Sequence, residues 1–341
     1  MRTKLISICV PSFNRPRELG RLLRSIDCCP KSIEIVISED YAPRRDEVRD
    51  EVKNYTSDCH YEVKYFENEV NLGFDGNLRH LASLAASKYV LFMGDDDLFV
   101  PGLLDQYISF LELKSPAYVL RSYLTVHANG LTEEFKYLPQ TKRLDRGEET
   151  VAWLFKRSVT ICGFTVDRQL AERASTPDLD GTLLYQVYLM SEVCMTHESY
   201  FCDIPFVHAV QTYREDKPMF GSSAAERSRY TPGKVSQDNS INFTAAYFEV
   251  SSYLDDKHGT SLTVRLRKDL SRYSYPFLSI QRKNGIKLFL NYAGRLETEL
   301  GFGCTPYFYF YKWSLVIFGE RWCDLVLILI KRILGHTPQL R

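Results

Sequence analysis

Three times between Leu5 and Ala85 a short apolar run is followed by a helical segment, and a fourth apolar run closes the series. Leu5–Val10, Ile33–Ile37, Tyr61–Phe66 and Tyr89–Met93 read as strands. Between them, Leu19, Leu22, Leu23 and Ile26 mark one apolar helix face, Arg44–Tyr55 is a charged, exposed helix, and Phe74, Leu78, Leu81 and Ala85 mark a third. Pro16, after Asn14 and Arg15, suits a first helical turn. Strands alternating with helices at this spacing predict a parallel sheet with right-handed crossovers. Helices then cover both faces, so the strands are apolar runs instead of alternating ones. The expected fold class is therefore α/β, Rossmann-like and mostly parallel.

Two of these strands end in acid. The second runs into Ser38-Glu39-Asp40, and the fourth stops at Gly94 before Asp95, Asp96 and Asp97. Open α/β sheets bind ligands outside the carboxyl ends of their strands. Adjacent carboxylates repel one another, and a hard divalent cation with oxygen ligands, Mg²⁺ or Mn²⁺ carrying a diphosphate, offsets that repulsion. Alternate side chains of an extended segment point to opposite faces, so the three are not all expected to bind one ion directly. A solvated acidic turn is the plain alternative, and the preceding series of βα units weighs against it. No GxGxxG follows the first strand, which argues against a nicotinamide or flavin enzyme.

Beyond Pro101, helices are expected at Leu103–Leu113, Glu148–Phe155 and Leu183–Val193, and strands at Tyr118–Val126, Thr160–Val166 and Phe201–Val210. Tyr213–Lys234, rich in Gly, Ser, Arg and Pro, reads as a mobile lid. From about Gln237 the pattern is helical. Net charge is zero, so charge gives no reason to expect a nucleic-acid partner. Nine cysteines without CxxC spacing read as reduced thiols, and no run approaches the roughly 20 apolar residues of a membrane span. A cytoplasmic protein is expected. The last 40 residues mix YFYFY, Trp313–Phe318 and Leu325–Ile330 with basic residues. That mixture suits a helix in a membrane interface, associated with the inner face of the cell membrane, and equally a helix docked on its own domain or on a partner subunit of a homo-oligomer.

ISICVPSFNRPRELGRLLRSI, EIVISED, NEVNLGFDGNLRHLAS and YVLFMGDDDLFVPGLL, in that order, resemble the family-2 glycosyltransferases of the GT-A fold, and within them the bacterial abequosyltransferase-like enzymes of O-antigen and related surface polysaccharide. The likeness is ordered over roughly the first 125 residues and survives beyond them as weaker echoes in DLDGTLLYQVYLM and YTPGKV. It implies a donor-binding half (1–125), an acceptor-binding and base-carrying half of the same domain (126–235), and a mainly helical C-terminal region (236–341). It also implies a nucleotide-diphosphate sugar donor, a lipid-linked saccharide acceptor, a divalent cation, and inverting transfer of a hexosyl or deoxyhexosyl group.

Carried onto this chain, the resemblance places Pro11, Ser12, Phe13, Asn14 and Arg15 around the nucleobase and ribose. Asp40 takes the base's ring N–H, although Glu39 and Tyr41 depart from the commoner Asp-Asp-Gly-Ser pattern. Asn71, Gly73 and Asn77 match the loop and helix beside the donor. Asp75 either contacts the sugar or is an exposed first-turn Asp favoured by the helix dipole. Asp95 serves donor and metal together. Two registers stay open for the metal: Asp95 with Asp97, or Asp96 as principal ligand with Gly94 in the first acidic place. His208 is a further metal candidate, with a satisfied core histidine as the alternative. The general base is expected at Asp180, then Asp178, with Glu192 third, against the plain role of helix N-caps for the two aspartates. Arg214, Arg227 and Arg229 are candidates to clamp the diphosphate. Two rivals remain: a sugar nucleotidyltransferase, disfavoured because PSFNRPREL lacks a Gly-rich loop, and a non-catalytic sugar-nucleotide-binding subunit.

Overall fold

The computed structural model describes residues 4–126, 132–210, 220–233 and 236–333. The chain divides into two compact units, Met1–Lys234 and Val235–Arg341.

The first unit opens as β1 (Ile6–Ser12), α1 (Pro16–Arg24), β2 (Ile33–Glu39), α2 (Arg45–Asp58), β3 (Glu62–Glu67), α3 (Gly73–Leu84) and β4 (Tyr89–Phe92). These strands run parallel in the order β3-β2-β1-β4, with Cys9 of β1 registered between Val36 and Phe92. Every residue of β2 and β4 is buried, as strands covered on both faces must be, whereas β3 lies at the sheet edge and is half-exposed. Glu34 is a buried charge in the middle of β2. It accepts from Lys64 Nζ (2.7 Å) and the Ala86 N–H (2.8 Å), which outweigh burial and draw its pKa down to about 2.

The chain continues through β5 (Leu98–Phe99), α4 (Leu104–Lys114), β6 (Tyr118–Arg121), β7 (Tyr123–Val126), β8 (Thr132–Phe135), β9 (Lys142–Leu144), α5 (Glu148–Phe155), β10 (Phe164–Asp167), α6 (Arg168–Ala174), α7 (Tyr185–Thr196), β11 (Ser199–Cys202) and β12 (Val207–Val210). The main sheet extends as β4-β10-β6-β11-β9, with β10 antiparallel to both of its neighbours, and a second sheet has the order β5-β12-β7-β8. Two predicted strands are therefore divided. Tyr118–Val126 breaks at Ser122 into β6 and β7, and Phe201–Val210 breaks into β11 and β12, each pair passing from one sheet to the other. The halves stay together, since β6 pairs with β11 and β7 with β12, both parallel, and the Ser122 N–H bonds Cys202 O at the bend. Arg121, fully buried at that bend, donates to Cys162 O (2.6 Å) and Thr160 O (3.0 Å) and so fastens the residues ahead of β10.

The second unit is helical: α8 (Gln237–His258), α9 (Leu262–Arg272), α10 (Tyr275–Arg282), α11 (Ile286–Thr298) and α12 (Pro306–Ile333). Ser236 caps α8 through the Asn239 N–H, and Gly259 ends it in the left-handed region that glycine adopts without strain. No described helix is long and apolar enough to cross a membrane.

Candidate active site

The apolar run that forms β4 ends because the chain turns at Gly94, where the Asp97 N–H returns to Gly94 O at 3.2 Å. The turn brings the three carboxylates against the first loop. Asp95 accepts from Arg15 Nη1 (2.9 Å) and the Phe13 N–H (3.3 Å); the same Arg15 nitrogen reaches Asp96 at 2.7 Å. Asp97 turns the other way and accepts from the Val210 N–H at 3.0 Å, tying the triplet to β12. Burial raises the pKa of both Asp95 and Asp97, more than Arg15 lowers that of Asp95. Asp97 Oδ2 and Asp96 Oδ1 both crowd the space above Gly94: a Cβ there would lie 2.8 and 3.2 Å from them. A side chain at Gly94 would push these two carboxylates aside.

His208 sits on β12 opposite Leu98, next in sequence to the triplet, and burial lowers its pKa. Among the described residues no three His, Cys, Asp or Glu side chains converge to hold a metal ion, so Asp95, Asp96, Asp97 and His208 do not form one cluster. Arg15 and the Phe13 N–H occupy Asp95, and the Val210 N–H takes one oxygen of Asp97. Oxygen donors in this number suit a cation held by one or two carboxylates and completed by substrate phosphates, which is how Mg²⁺ is commonly bound.

The first loop is fastened at both ends. Asn14 takes a left-handed backbone (φ 66°) and its Oδ1 accepts from the Arg44 N–H at 3.1 Å, while Arg15 reaches the triplet. Pro11 and Phe13 are half-buried, and Ser12 is buried with a hydroxyl that makes no hydrogen bond. At the end of β2, Asp40 is buried and accepts from the Leu72 N–H (2.7 Å), the Gly73 N–H (2.9 Å) and Asn68 Nδ2 (2.9 Å); burial nevertheless pushes its pKa up to about 6. Glu39, one residue earlier, accepts from Arg45 Nε (2.6 Å) and the Ala42 N–H (2.7 Å). Tyr41 is left exposed, with the Arg45 guanidinium 4.8 Å from its ring centroid.

The start of α3 is where the distant parts of this unit meet. Asn71 bonds Ser222 Oγ (3.1 Å), and Asn77 donates to Ser38 O (3.2 Å). Gly73 has φ 75°, and a Cβ there would overlap the Ser223 hydroxyl. Asp75 is neither exposed nor a first-turn surface charge. It is 1 % exposed, and its carboxylate accepts from the N–H groups of Gly181 (2.9 Å), Leu183 (2.8 Å) and Tyr185 (2.9 Å). These bonds cap α7 from another helix. That helix starts at Tyr185, two residues later than expected, with Leu184 in the capping place and no side-chain cap of its own. Neither Asp178 nor Asp180 caps it, so the plain alternative for both falls away.

Asp180 instead pairs with Arg79, four residues along α3 from Asp75; its second oxygen, Oδ1, is buried and makes no hydrogen bond. Asp178 is exposed, and Glu192 lies well along α7. Sequence reasoning missed Glu226. It is buried, accepts from the Phe74 N–H (2.7 Å) and the Gly221 N–H (2.6 Å), and so ties residues 220–230 to the start of α3. No local pattern announces a carboxylate that serves a helix 152 positions away. Arg227 is exposed and donates to Ser222 O, Arg229 is half-buried, and Arg214 lies outside the described residues.

A mostly parallel sheet that gathers carboxylates and a basic side chain at the carboxyl ends of β1, β2 and β4 defines a GT-A domain. The structure of S. aureus TarS 1-349 in complex with UDP-GlcNAc is similar at a TM-score of 0.55, with 14% identity, over 87% of this chain and 77% of that one. Residues 7–169 match the family described as glycosyl transferase family 2. The chain is 31% identical over 118 residues to abequosyltransferase RfbV of Salmonella typhimurium (34% of this chain, 35% of that protein). It is 30% identical over 132 residues to the GalNAc(5)-diNAcBac-PP-undecaprenol beta-1,3-glucosyltransferase of Campylobacter jejuni (38% and 41%). The match thus spans well under half the length of either relative.

Proposed function

We propose that this protein transfers a sugar, with inversion, from a nucleotide-diphosphate donor to a lipid-linked saccharide of a bacterial surface polysaccharide. The observation that carries the reading is the acidic turn after β4, packed against the loop after β1 with two of its three carboxylates buried. The named relatives, an abequosyltransferase and a glucosyltransferase whose name specifies an undecaprenol-linked glycan, support the reaction class and the lipid-linked acceptor. The UDP-GlcNAc complex of TarS supports a nucleotide-sugar donor.

Asp96 and Asp97 each keep one oxygen beside Gly94 that Arg15 and the Val210 N–H do not take, which makes them the candidate ligands for a divalent cation, since both oxygens of Asp95 are already engaged. When bound, that cation neutralises the departing diphosphate. Asp180 Oδ1, without a partner, is the oxygen that takes the proton of the acceptor hydroxyl, while Arg79 holds the other oxygen in place. Asp75 holds the backbone that carries Asp180, and Asp40 has acceptor capacity left on Oδ2 for a base N–H.

The test is transfer from radiolabelled UDP-, GDP- and CDP-sugars to a lipid-linked acceptor, with Mn²⁺ and with EDTA. Metal-dependent transfer to the acceptor is expected. Tight binding of a donor without turnover would leave a sugar-nucleotide-binding subunit, and pyrophosphate release from a nucleoside triphosphate would leave a nucleotidyltransferase.

A further inference from the structure

The last helix of the second unit is inside out for a helix in water. Gly319 (φ 73°, ψ 171°) breaks α12 into two stretches, each about 20 Å long at the usual rise. In the first, Phe308 and Leu315 are buried, while Tyr307, Phe310, Trp313 and Ile317, spaced three or four apart on the opposite side, are exposed. In the second, the acidic group faces inward: Asp324 accepts from Tyr275 Oη (2.6 Å) and Ser279 Oγ (3.3 Å) of α10. Trp322, Leu325, Val326 and Leu329 face outward, with Trp322 69 % exposed. A surface helix normally buries its apolar stripe and exposes its charges. Apolar side chains exposed on two successive helical stretches mark a contact surface.

We infer that α12 lies in the headgroup region of an anionic lipid surface, without crossing it. Charge decides between lipid and a second copy of the chain. Tyr275–Ile333 holds eight Lys and Arg against four Asp and Glu. All four acids are engaged within the unit: Asp324 as above, Glu297 by Lys312 (3.1 Å) and Tyr309 (2.8 Å), Glu299 by Arg295 (2.7 Å), and Glu320 by Arg321 (3.9 Å), which leaves a net positive charge. Arg321, its side chain 90 % exposed, stands beside Trp322, and Lys283 and Lys287 are exposed on the same unit. Two such faces repel each other, whereas an anionic surface attracts each of them. Exposed Trp and Tyr beside basic residues are the side chains that settle at the boundary between headgroups and acyl chains. The inference rests on this unit's own residues and is independent of the reaction assigned to the first unit.

Flotation of the full-length protein with phosphatidylcholine vesicles, with and without phosphatidylglycerol, tests it. The protein is expected to float with the anionic vesicles. Trp322→Ser with Leu325→Ser should lower partitioning at least tenfold with Tm unchanged, because both side chains already face solvent. Arg321→Ala should lower it about fivefold, and only on anionic vesicles. Wild-type protein that stays in solution, or a double variant that floats equally well, overturns the inference. So does a dimer that the double variant dissolves while no vesicle is bound, since a second copy then covers the face. Donor binding, measured alongside, is expected to be the same in all variants.

Discussion

Removing Asp75 should slow transfer without disturbing the donor. Its carboxylate is the acceptor for three N–H groups in Gly181–Tyr185, and one of these residues, Leu183, is held at φ 63°. A left-handed non-glycine residue costs about 1–2 kcal/mol, so this stretch keeps its shape only while the bonds hold. Asp75→Ala leaves three buried donors, each worth about 1–3 kcal/mol if left unsatisfied. A static loop would thus lose at least about 3 kcal/mol, more than the strain at Leu183, and the segment should relax toward water instead. Asp180, at its start, then moves, and a displacement of about 1 Å at a reacting group costs on the order of a hundredfold in rate. Asp75→Asn is milder: one carbonyl oxygen still serves Gly181 and Leu183, while its amide faces the Tyr185 N–H, and a loss of about tenfold is expected. Steady-state kinetics with donor and acceptor varied separately read this as lower kcat with donor KM within about threefold. Hydrogen exchange should show faster exchange at Gly181–Tyr185 and unchanged protection in β1, β2 and β4. Unchanged kcat in Asp75→Ala with that loop demonstrably loosened would refute the argument.

Asp180→Asn should lower kcat by about a hundredfold or more with donor affinity retained; normal turnover would move the base elsewhere. Asp97→Asn should abolish transfer and weaken donor binding only when Mn²⁺ is present, as titration calorimetry with and without EDTA would report. Asp40 gives a pH signature. Its folded pKa of about 6 lies above the ordinary carboxylate value, so its contribution is fully present below about 4 and fades as pH rises through about 6. Thermal unfolding from pH 4 to 8 should show wild type losing stability relative to Asp40→Asn across that window, and parallel curves would contradict it. Glu226→Gln keeps an acceptor oxygen for one of the Phe74 and Gly221 N–H groups, which bond different carboxylate oxygens, whereas Glu226→Ala keeps none. Limited proteolysis should therefore cut residues 220–230 sooner in the alanine variant than in the glutamine one.

Much of this architecture was readable from local pattern. Three of the four apolar runs became β1, β2 and β4 because a strand buried on both faces is mainly apolar, and the fourth run became the half-exposed edge strand β3. The turn after β4 was readable as well, because Gly94 and three adjacent acids can only end a strand. What composition and spacing left open depended on partners far along the chain. Tyr118–Val126 and Phe201–Val210 each look like one strand, and only their pairing with each other, and the two sheets they join, shows where each bends. Asp75 reads as a first-turn surface acid until α7 is seen to begin with no cap of its own and to borrow Asp75's carboxylate. Which oxygens of the three aspartates Arg15 and two backbone N–H groups take was likewise visible only in the folded chain. Hydrophobic periodicity is a property of neighbours in sequence and was legible there. The satisfaction of each buried donor and acceptor belongs to neighbours in space, so the tertiary structure alone shows which carboxylates are taken up in holding the frame.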